Sequence, residues 1–216
     1  MTDLLPFEIE DYCEAHTSAE SELLYELRRE THLKSLRPRM LSGILQGTFL
    51  TMLAKLMKAR YILEIGTYTG YAALCMAESL PEDGELHTIE VDLEQEDFIR
   101  KYFDKSPKKE QITLHIGEAL KIIPTLDKPW DLVMIDADKR EYIAYYDMIL
   151  PKLRKGGIIF IDNVLWSGKV IEEVKSNDKD TQAIIAFNDH VQCDFTVRNV
   201  MLPFRDGMMM VEKVGN

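Results

Sequence analysis

The chain has 216 residues, of which 46% are hydrophobic and 29% are charged, and its formal net charge at pH 7 is −11. This length suits one substantial core, so we predict a single domain over residues 1–216. The acidic excess argues against broad binding to a nucleic-acid backbone, which needs lysine and arginine to displace counterions. Three scattered cysteines without CxxC spacing predict reduced thiols. No signal peptide or membrane-spanning run is evident, so we expect a cytoplasmic protein without a membrane partner.

Residues 1–57 have the pattern of helices throughout. A helix that runs through Glu22–Leu27 could open near Ser18, and a second helix is predicted near Met40–Leu56. Apolar residues in the second helix recur with the spacing of a stripe that we expect to face the core: Leu41, Ile44, Leu45, Leu53 and Leu56.

From Ala59 onward, short runs rich in Ile and Val alternate with helical segments. The runs are Tyr61–Ile65, Leu86–Val91, Ile112–Ile116, Asp131–Ile135 and Ile158–Ile161. Alternation of this kind predicts a parallel sheet with right-handed crossovers, so residues 58–216 are expected to form an α/β core. Near the end, two strand-like runs flank the turn at 203–207, whose Asp-Gly pair is typical of a hairpin. We therefore expect the sheet to end in an antiparallel pair.

The first predicted strand is followed by an ExGxxxG pattern, which runs from Glu64 through Gly66 to Gly70. The pattern differs from the GxGxxG fingerprint, whose glycines let the backbone approach a pyrophosphate. A carboxylate beside the loop would repel phosphate and suit a cationic ligand such as a sulfonium amino acid. Glu90 ends the second strand, where a carboxylate can accept hydrogen bonds from both ribose hydroxyls. Ala119 follows the third strand, where an adenine would lie.

Polar side chains also follow the fourth and fifth predicted strands. Asp136 comes directly after one strand, and Asp162 and Asn163 come directly after the other. Ligands bind at the carboxyl ends of strands in open α/β sheets, and oxygen ligands of this kind suit Mg²⁺ better than zinc or copper. Lys139 is the candidate base of this corner, and its alternative is a surface cation paired with an aspartate. Tyr142 is interpreted as packing, and Trp166 as a wall of the substrate pocket.

With these motifs, the sequence resembles the class I, metal-dependent O-methyltransferases of the caffeoyl-CoA and catechol O-methyltransferase type, in their small bacterial form. The resemblance extends from about Met40 to Lys213. The matching segments include Gln46-Gly47, Ile135-Asp-Ala-Asp-Lys139, Asp162-Asn-Val-Leu-Trp-Ser-Gly168 and Leu202-Pro-Phe-Arg-Asp-Gly207. The combination of the second and third of these segments is highly specific to the family. The resemblance implies a Rossmann-like class I methyltransferase fold with a seven-stranded sheet. It also implies S-adenosylmethionine as methyl donor, a divalent metal and a homodimer.

The family's functional residues carry over by position. Asp136, Asp162 and Asn163 look like metal ligands for Mg²⁺, with Mn²⁺ or Ca²⁺ as alternatives, and Lys139 looks like the general base. The residues that would bind the donor are Met40, Ser42, Glu64, Gly66, Thr67, Tyr71, Ala72, Glu90, Ala119, Asp136 and Asp138. The family commonly has a serine where this chain has Ala72, so we expect a weaker hold on the donor's carboxylate. The N-terminal helices are expected to contribute to the substrate side.

The predicted activity is therefore methyl transfer to a metal-chelated hydroxyl of a catechol-like small molecule. One alternative is methylation of a hydroxylated uridine in transfer RNA. A basic cluster near the start of the chain favours the transfer RNA alternative: Arg28, Arg29, Lys34, Arg37 and Arg39. The competing interpretation of this cluster is a solvated helix face. A second alternative is a module that binds the donor without catalysis. The intact set of Asp136, Lys139, Asp162 and Asn163 argues against that module.

Overall fold

A computed structural model describes residues 6–215, within which the chain forms eight α-helices and seven strands. The helices are α1 Phe7–Ala15, α2 Glu22–Lys34, α3 Gly43–Met57, α4 Tyr71–Ala77, α5 Glu96–Phe103, α6 Ala119–Ile122, α7 Tyr142–Ile149 and α8 Lys179–Gln192. The strands are β1 Tyr61–Ile65, β2 Glu85–Glu90, β3 Ile112–Ile116, β4 Trp130–Ile135, β5 Leu153–Asp162, β6 Val197–Leu202 and β7 Met208–Lys213. Residues 1–5, which include most of the segment used to predict that no signal peptide is present, lie outside the described residues.

All seven strands belong to one sheet in the order β3-β2-β1-β4-β5-β7-β6. The first five strands are parallel, and β7 runs antiparallel to both β5 and β6. This arrangement confirms the predicted mostly parallel sheet with an antiparallel hairpin at its end. Ile65 of β1 pairs with Ile135 of β4, which pairs with Ile161 of β5. The residues that follow these three strands therefore emerge side by side at one edge.

Both faces of the sheet are covered, because successive side chains of a strand point to opposite faces. On β4, Leu132 and Met134 pack with the core that includes α3 and α4. Val133 and Ile135 pack with the opposite core, which includes α7 and α8. Burial on both sides explains why the parallel strands appear in the sequence as continuous apolar runs.

The predicted strand boundaries agree with the structure within about one residue except in β5. This strand begins at Leu153, five residues before the predicted start at Ile158. The prediction was wrong because Gly156 and Gly157 resemble a break in the strand pattern. In the structure, Leu153 still pairs with Trp130, and the register shifts between Trp130 and the next paired residue.

The prediction that residues 1–57 are helical throughout was also wrong. Residues 38–40 form a separate turn of 3₁₀-helix and Leu41 is extended, so α3 begins at Gly43 instead of Met40. The buried face of α3 differs from the predicted stripe as well, since Leu56 is 79% exposed. The buried residues are Gln46, Gly47, Leu50 and Ala54.

The reason lies in the contact between α3 and α4. A Cβ on Gly47 would come within 2.6 Å of Cys75 Sγ and 2.7 Å of a ring carbon of Tyr71. The glycine therefore allows a close helix crossing that selects this face for burial. Because α3 carries apolar residues on several sides, its periodicity alone could not identify the buried face.

One helical stretch within residues 6–215, Pro38–Met57, is long and apolar enough to cross a membrane, with a mean hydropathy of 1.3 in an 18-residue window. The helix passes this test by length and composition only, and 28% of the window is buried. On its outer side Met52 is 58% exposed. The expected lack of a membrane partner stays a prediction.

Candidate active site

An open cleft of about 310 Å³ lies at the carboxyl end of the sheet, beside β1 and β4. Its walls come from the segment before α3, from the loop after β1 and from the end of β4. The lining residues are Met40, Leu41, Ser42, Glu64, Gly66, Thr67, Tyr68, Thr69, Tyr71, Ala72, Met134 and Asp136. Eight of the eleven residues predicted to bind the donor are in this list: Met40, Ser42, Glu64, Gly66, Thr67, Tyr71, Ala72 and Asp136.

The loop after β1 is shaped by two glycines with positive φ. Gly66 has φ +98°, and a Cβ on it would lie 2.0 Å from the carbonyl oxygen of Asp136. Gly70 has φ +90°, and its Cβ would lie 2.6 Å from Cε1 of Phe103. Only glycine adopts such conformations without strain. The glycines of the motif therefore seat the loop against β4 and α5, and they leave the cleft between the loop and Met40.

Glu64 is the most buried charge of the cleft, with 1% of its surface exposed. It accepts a hydrogen bond of 2.5 Å from the hydroxyl of Thr88, whose oxygen lies 2.5 Å from that of Thr67. Burial raises the pKa of Glu64 to about 8, with a further contribution from the Asp136 carboxylate. The side chain is therefore largely protonated near neutral pH, and a cationic ligand in the cleft would favour its carboxylate form.

Three predicted donor-binding residues lie outside the cleft lining. Both carboxylate oxygens of Glu90 accept backbone hydrogen bonds, from Tyr68 at 2.7 Å and from Asp92 at 2.9 Å. Ala119 is buried at the start of α6. Asp138 is exposed and forms an ion pair of 2.6 Å with the guanidinium of the neighbouring Arg140. Their roles in donor binding stay predictions.

Two residues of α4 face the cleft in different ways. The hydroxyl of Tyr71 donates a hydrogen bond of 2.7 Å to Glu20, which also pairs with Arg28 at 2.6 Å. The ring of Tyr71 is therefore held against the N-terminal helices and presents no free hydroxyl to a ligand. Ala72 offers only its methyl group at the start of the helix. The backbone N–H groups there are the remaining donors for a carboxylate.

The ends of β4 and β5 form the predicted metal corner. Asp162 is 5% exposed, and one of its oxygens accepts a hydrogen bond of 2.7 Å from the backbone N–H of Asn163. Asn163 has φ +62°, a left-handed conformation that asparagine tolerates better than most residues. Burial raises the pKa of Asp162 to about 6, and the nearby Asp136 carboxylate adds to the shift.

These residues fit a hard divalent cation. Two carboxylates and an amide oxygen are ligands that Mg²⁺ accepts, and the repulsion between Asp162 and Asp136 would be relieved by a cation. Within the described residues there is no group of three or more His, Cys, Asp or Glu side chains placed to hold a metal. The predicted set of Asp136, Asp162 and Asn163 contains two aspartates and an asparagine. It therefore falls outside a criterion that counts only His, Cys, Asp and Glu.

Lys139 lies beside this corner and is mostly but not fully buried, with 12% of its side chain exposed. Its Nζ donates hydrogen bonds of 2.8 Å to Oδ1 of Asp136 and 2.8 Å to the hydroxyl of Tyr142, and it lies 5.9 Å from the centroid of the Trp166 ring. Burial lowers the pKa of Lys139, but the attraction of Asp136 outweighs it, so the pKa stays raised. Tyr142, interpreted from the sequence as packing, is fully buried and also contacts the candidate base.

Sequence reasoning missed a side chain that holds Asp162 in place. Gln46 of α3 is fully buried, and its Nε2 donates a hydrogen bond of 3.0 Å to Oδ2 of Asp162. Its Oε1 accepts a hydrogen bond of 2.5 Å from Arg205 in the turn between β6 and β7. A buried glutamine among the apolar residues of α3 was the available signal, because buried polar groups require partners.

The neighbouring Asp206 holds the other side of the corner. It accepts hydrogen bonds from the backbone N–H of Ser167 and, at 3.5 Å, from Nδ2 of Asn163. The backbone N–H of Val164 donates to the carbonyl of Gly207 at 3.0 Å. The hairpin turn predicted from its Asp-Gly pair is thus also a support for the metal corner, a role that its sequence does not show.

Comparison with known proteins identifies the family to which the chain belongs. A family profile described as O-methyltransferase matches residues 14–214. The chain belongs to this O-methyltransferase family. It is 32% identical over 209 residues to a probable caffeoyl-CoA O-methyltransferase of Dictyostelium discoideum, covering 94% of this chain and 91% of that protein. It is 38% identical over 147 residues to a catechol O-methyltransferase of Niastella koreensis, covering 66% of each protein.

A solved structure shows the same fold. The O-methyltransferase TomG of Streptomyces achromogenes, whose structure contains S-adenosylmethionine, is 28% identical, and the match covers 96% of each chain with a TM-score of 0.87. The predicted class I methyltransferase fold is therefore confirmed. So is the predicted activity at the level of the family: the chain is an S-adenosylmethionine-dependent O-methyltransferase of the caffeoyl-CoA and catechol type.

Proposed function

We propose that this O-methyltransferase methylates a hydroxyl group of a catechol-like small molecule, with a divalent cation held at the β4–β5 corner. The observation that carries the proposal is that Asp136 belongs to both parts of the site. It lines the cleft assigned to the donor, and its carboxylate accepts the hydrogen bond of Lys139 beside Asp162. Donor, acceptor and base would thus meet at one residue.

The residues proposed to hold the cation are Asp136, Asp162 and Asn163. A divalent cation there would supply positive charge that stabilises an ionised acceptor hydroxyl and orients an adjacent one. Mg²⁺ is the proposed ion because all three ligands are hard oxygen donors, and Mn²⁺ and Ca²⁺ share that preference.

Lys139 is proposed as the proton acceptor, at Nζ. It can accept a proton only in its neutral form, so the Asp136 carboxylate that stabilises its charge must first be engaged elsewhere. The hydroxyl of Tyr142 would then keep Nζ in position. Methyl transfer from a sulfonium is an in-line displacement, and alignment of the reacting groups is worth up to roughly 7–11 kcal/mol.

The transfer RNA alternative gains no support from the structure. Arg28 is paired with Glu20 at 2.6 Å, and Lys34 is paired with Glu30 at 2.6 Å. The basic cluster of the N-terminal segment is therefore partly neutralised. The named relatives are small-molecule O-methyltransferases, which supports a small-molecule acceptor.

The homodimer implied by the family is also a proposal. The outer side of α3 supports it, since Met52 is 58% exposed and Leu56 is 79% exposed. The cytoplasmic location expected from the reduced cysteines stays a prediction. Cys13, Cys75 and Cys193 are free thiols in the structure.

The test is transfer of labelled methyl from S-adenosylmethionine to a catechol, to the matched phenol with one hydroxyl, to a catechol-bearing coenzyme A thioester and to transfer RNA. We expect a catechol or its thioester to be methylated, the phenol to react poorly, and chelation by EDTA to abolish activity that Mg²⁺ restores. Activity that survives complete chelation would exclude the metal role. Labelling of transfer RNA alone would exclude the small-molecule acceptor.

A further inference from the structure

The turn between β6 and β7, residues 203–207, contacts both halves of the active site. Arg205 points toward α3, where one guanidinium nitrogen donates a hydrogen bond to the carbonyl of Ser42 and the other donates to that of Leu41 at 3.1 Å. Leu41 and Ser42 form part of the wall of the donor cleft. The turn is thus bonded directly to the donor side.

The same guanidinium reaches the metal corner through one intermediate side chain. Arg205 donates to Oε1 of Gln46 at 2.5 Å, and Nε2 of Gln46 donates to Oδ2 of Asp162 at 3.0 Å. Arginine can only donate, and a carboxylate can only accept, so the Gln46 amide has one orientation that satisfies both partners. Gln46 is fully buried and Asp162 is 5% exposed, which leaves this chain little exchange with water.

The backbone of Arg205 indicates that its side chain is the reason for its position. Its φ is +51°, in the left-handed region where glycine is favoured. A non-glycine residue held in such a conformation marks a place where the surroundings over-determine the backbone. Here the determinants are the three acceptors of the guanidinium: the two carbonyls of Leu41 and Ser42 and the amide oxygen of Gln46.

We propose that Arg205 and Gln46 are positioning residues that couple the binding of the methyl donor to the binding of the divalent cation. A donor that orders the Leu41–Ser42 wall also fixes the guanidinium, and through Gln46 it fixes Asp162. A cation that fixes Asp162 orders the wall by the same route, so each ligand binds more tightly when the other is present. This inference rests on the proposed function, because Asp162 is a metal ligand only under that proposal.

The test measures coupling and does not depend on turnover. The affinity of S-adenosylhomocysteine is measured by calorimetry with and without saturating Mn²⁺, and the affinity of Mn²⁺ is measured by electron paramagnetic resonance with and without S-adenosylhomocysteine. The two ratios must agree, because coupling between binding sites is reciprocal. For the unaltered protein we expect each ratio to be about tenfold, within the range usual for such coupling.

Two variants remove the connection in different ways. Arg205→Gly keeps the left-handed backbone and removes the guanidinium, and Gln46→Met keeps the volume of the side chain and removes both hydrogen bonds. We expect the ratio to fall to nearly one in both. Arg198→Ala is the matched control, because Arg198 lies on the same hairpin, is exposed and pairs only weakly with Glu212 at 3.7 Å. It should keep the ratio of the unaltered protein.

The outcomes separate the inference from the proposed function. A coupling ratio that persists in both folded variants, even with weaker binding of each ligand, overturns the inference alone, and so does a ratio of one in the unaltered protein. Failure of the unaltered protein to bind Mn²⁺ or Mg²⁺ overturns both. Thermal unfolding shows whether the variants fold. If Arg205→Gly does not fold, Arg205→Lys replaces it, since a lysine keeps the charge but cannot bond all three acceptors at once.

Discussion

The donor loop and the metal corner lie side by side, but they are built in different ways. The loop is one continuous segment, residues 64–72, and its shape is set by steric contacts of Gly66 and Gly70. The corner collects side chains from the ends of β4 and β5, from α3 and from the last hairpin, and hydrogen bonds between charged or polar groups hold it together. A loop of this kind tolerates few changes of shape, whereas the corner depends on the presence of partners far away in the chain.

The largest effect should come from removing chemistry at the corner while the donor side stays intact. We expect Lys139→Met to lower kcat by about 10²–10⁴-fold, the usual contribution of a general base. Donor affinity should be unchanged, because Lys139 does not line the cleft. Steady-state kinetics and calorimetry check the two expectations. Lys155→Met is the control, since Lys155 is an exposed lysine of β5. Equal kcat values for both variants would show that Lys139 is not the base.

The second prediction disrupts the contact between the two regions, where Gly66 of the loop packs against the backbone of Asp136. Gly66→Ala would put a Cβ 2.0 Å from the carbonyl oxygen of Asp136 at a φ of +98°. The backbone must move, and we expect the free energy of unfolding to fall by at least about 3 kcal/mol. Gly156→Ala is the control, because Gly156 also has a positive φ, of +72°, but its Cβ would meet only Arg154 Nη1 at 3.4 Å.

The control should cost only about 1–2 kcal/mol, the strain of a left-handed alanine. Urea denaturation measures both variants. Equal losses of stability would mean that the contact between Gly66 and Asp136 contributes nothing beyond backbone strain. A larger loss for Gly66→Ala, accompanied by weaker donor binding, would show that the loop depends on its seat against β4.

The last effect is a gradual slope, at most about 1.4 kcal/mol per unit of pH, and it tests the electrostatic difference between the two regions through Glu64. Its pKa is raised from 4.5 to about 8 in the folded protein, so the folded state holds a proton that the unfolded state has lost across this interval. The stability of the ligand-free protein should therefore fall as pH rises through it, by about 1.4 kcal/mol for each unit of pKa shift.

Glu64→Gln should make this dependence shallower, as measured by urea denaturation across the same pH range. Asp162, whose pKa is also raised, remains in the variant and accounts for part of the remaining slope. Glu94→Gln is the control, because Glu94 is exposed. If the Glu64 variant keeps the full slope, Glu64 is ionised in the folded protein.

The sequence predicted more of the donor loop than of the corner, for a physical reason. The loop is contiguous, so the ExGxxxG pattern and the strand before it show its shape directly. At the corner, the candidate ligand set could be proposed from the sequence because each residue follows a strand, and parallel strands end at one edge. The supporting roles of Gln46, Arg205 and Asp206 were not visible, although these residues belong to segments that carry the resemblance, because their partners are 116, 159 and 43 residues away. Nothing local to a turn reveals which distant carboxylate or amide it will meet.

The errors in the N-terminal helices have a similar origin. Leu56 was expected in the core and is 79% exposed, while Gln46 is fully buried. Periodicity compares side chains on one helix, but burial was decided by the close crossing of α3 over α4 at Gly47. A helix that is apolar on several sides needs the shape of its neighbour to determine which side is covered.

The order of these elements along the chain has a consequence for protein synthesis. Arg205 and Asp206 follow every strand of the parallel sheet, yet they hold Gln46 and Asn163 in place. A nascent chain that has emerged only through β5 would carry Asp136, Lys139 and Asp162 without these supports. It would also expose the edge of β5 that β7 later covers. The growing chain should therefore gain its sheet first and its ordered site only after the final hairpin has left the ribosome.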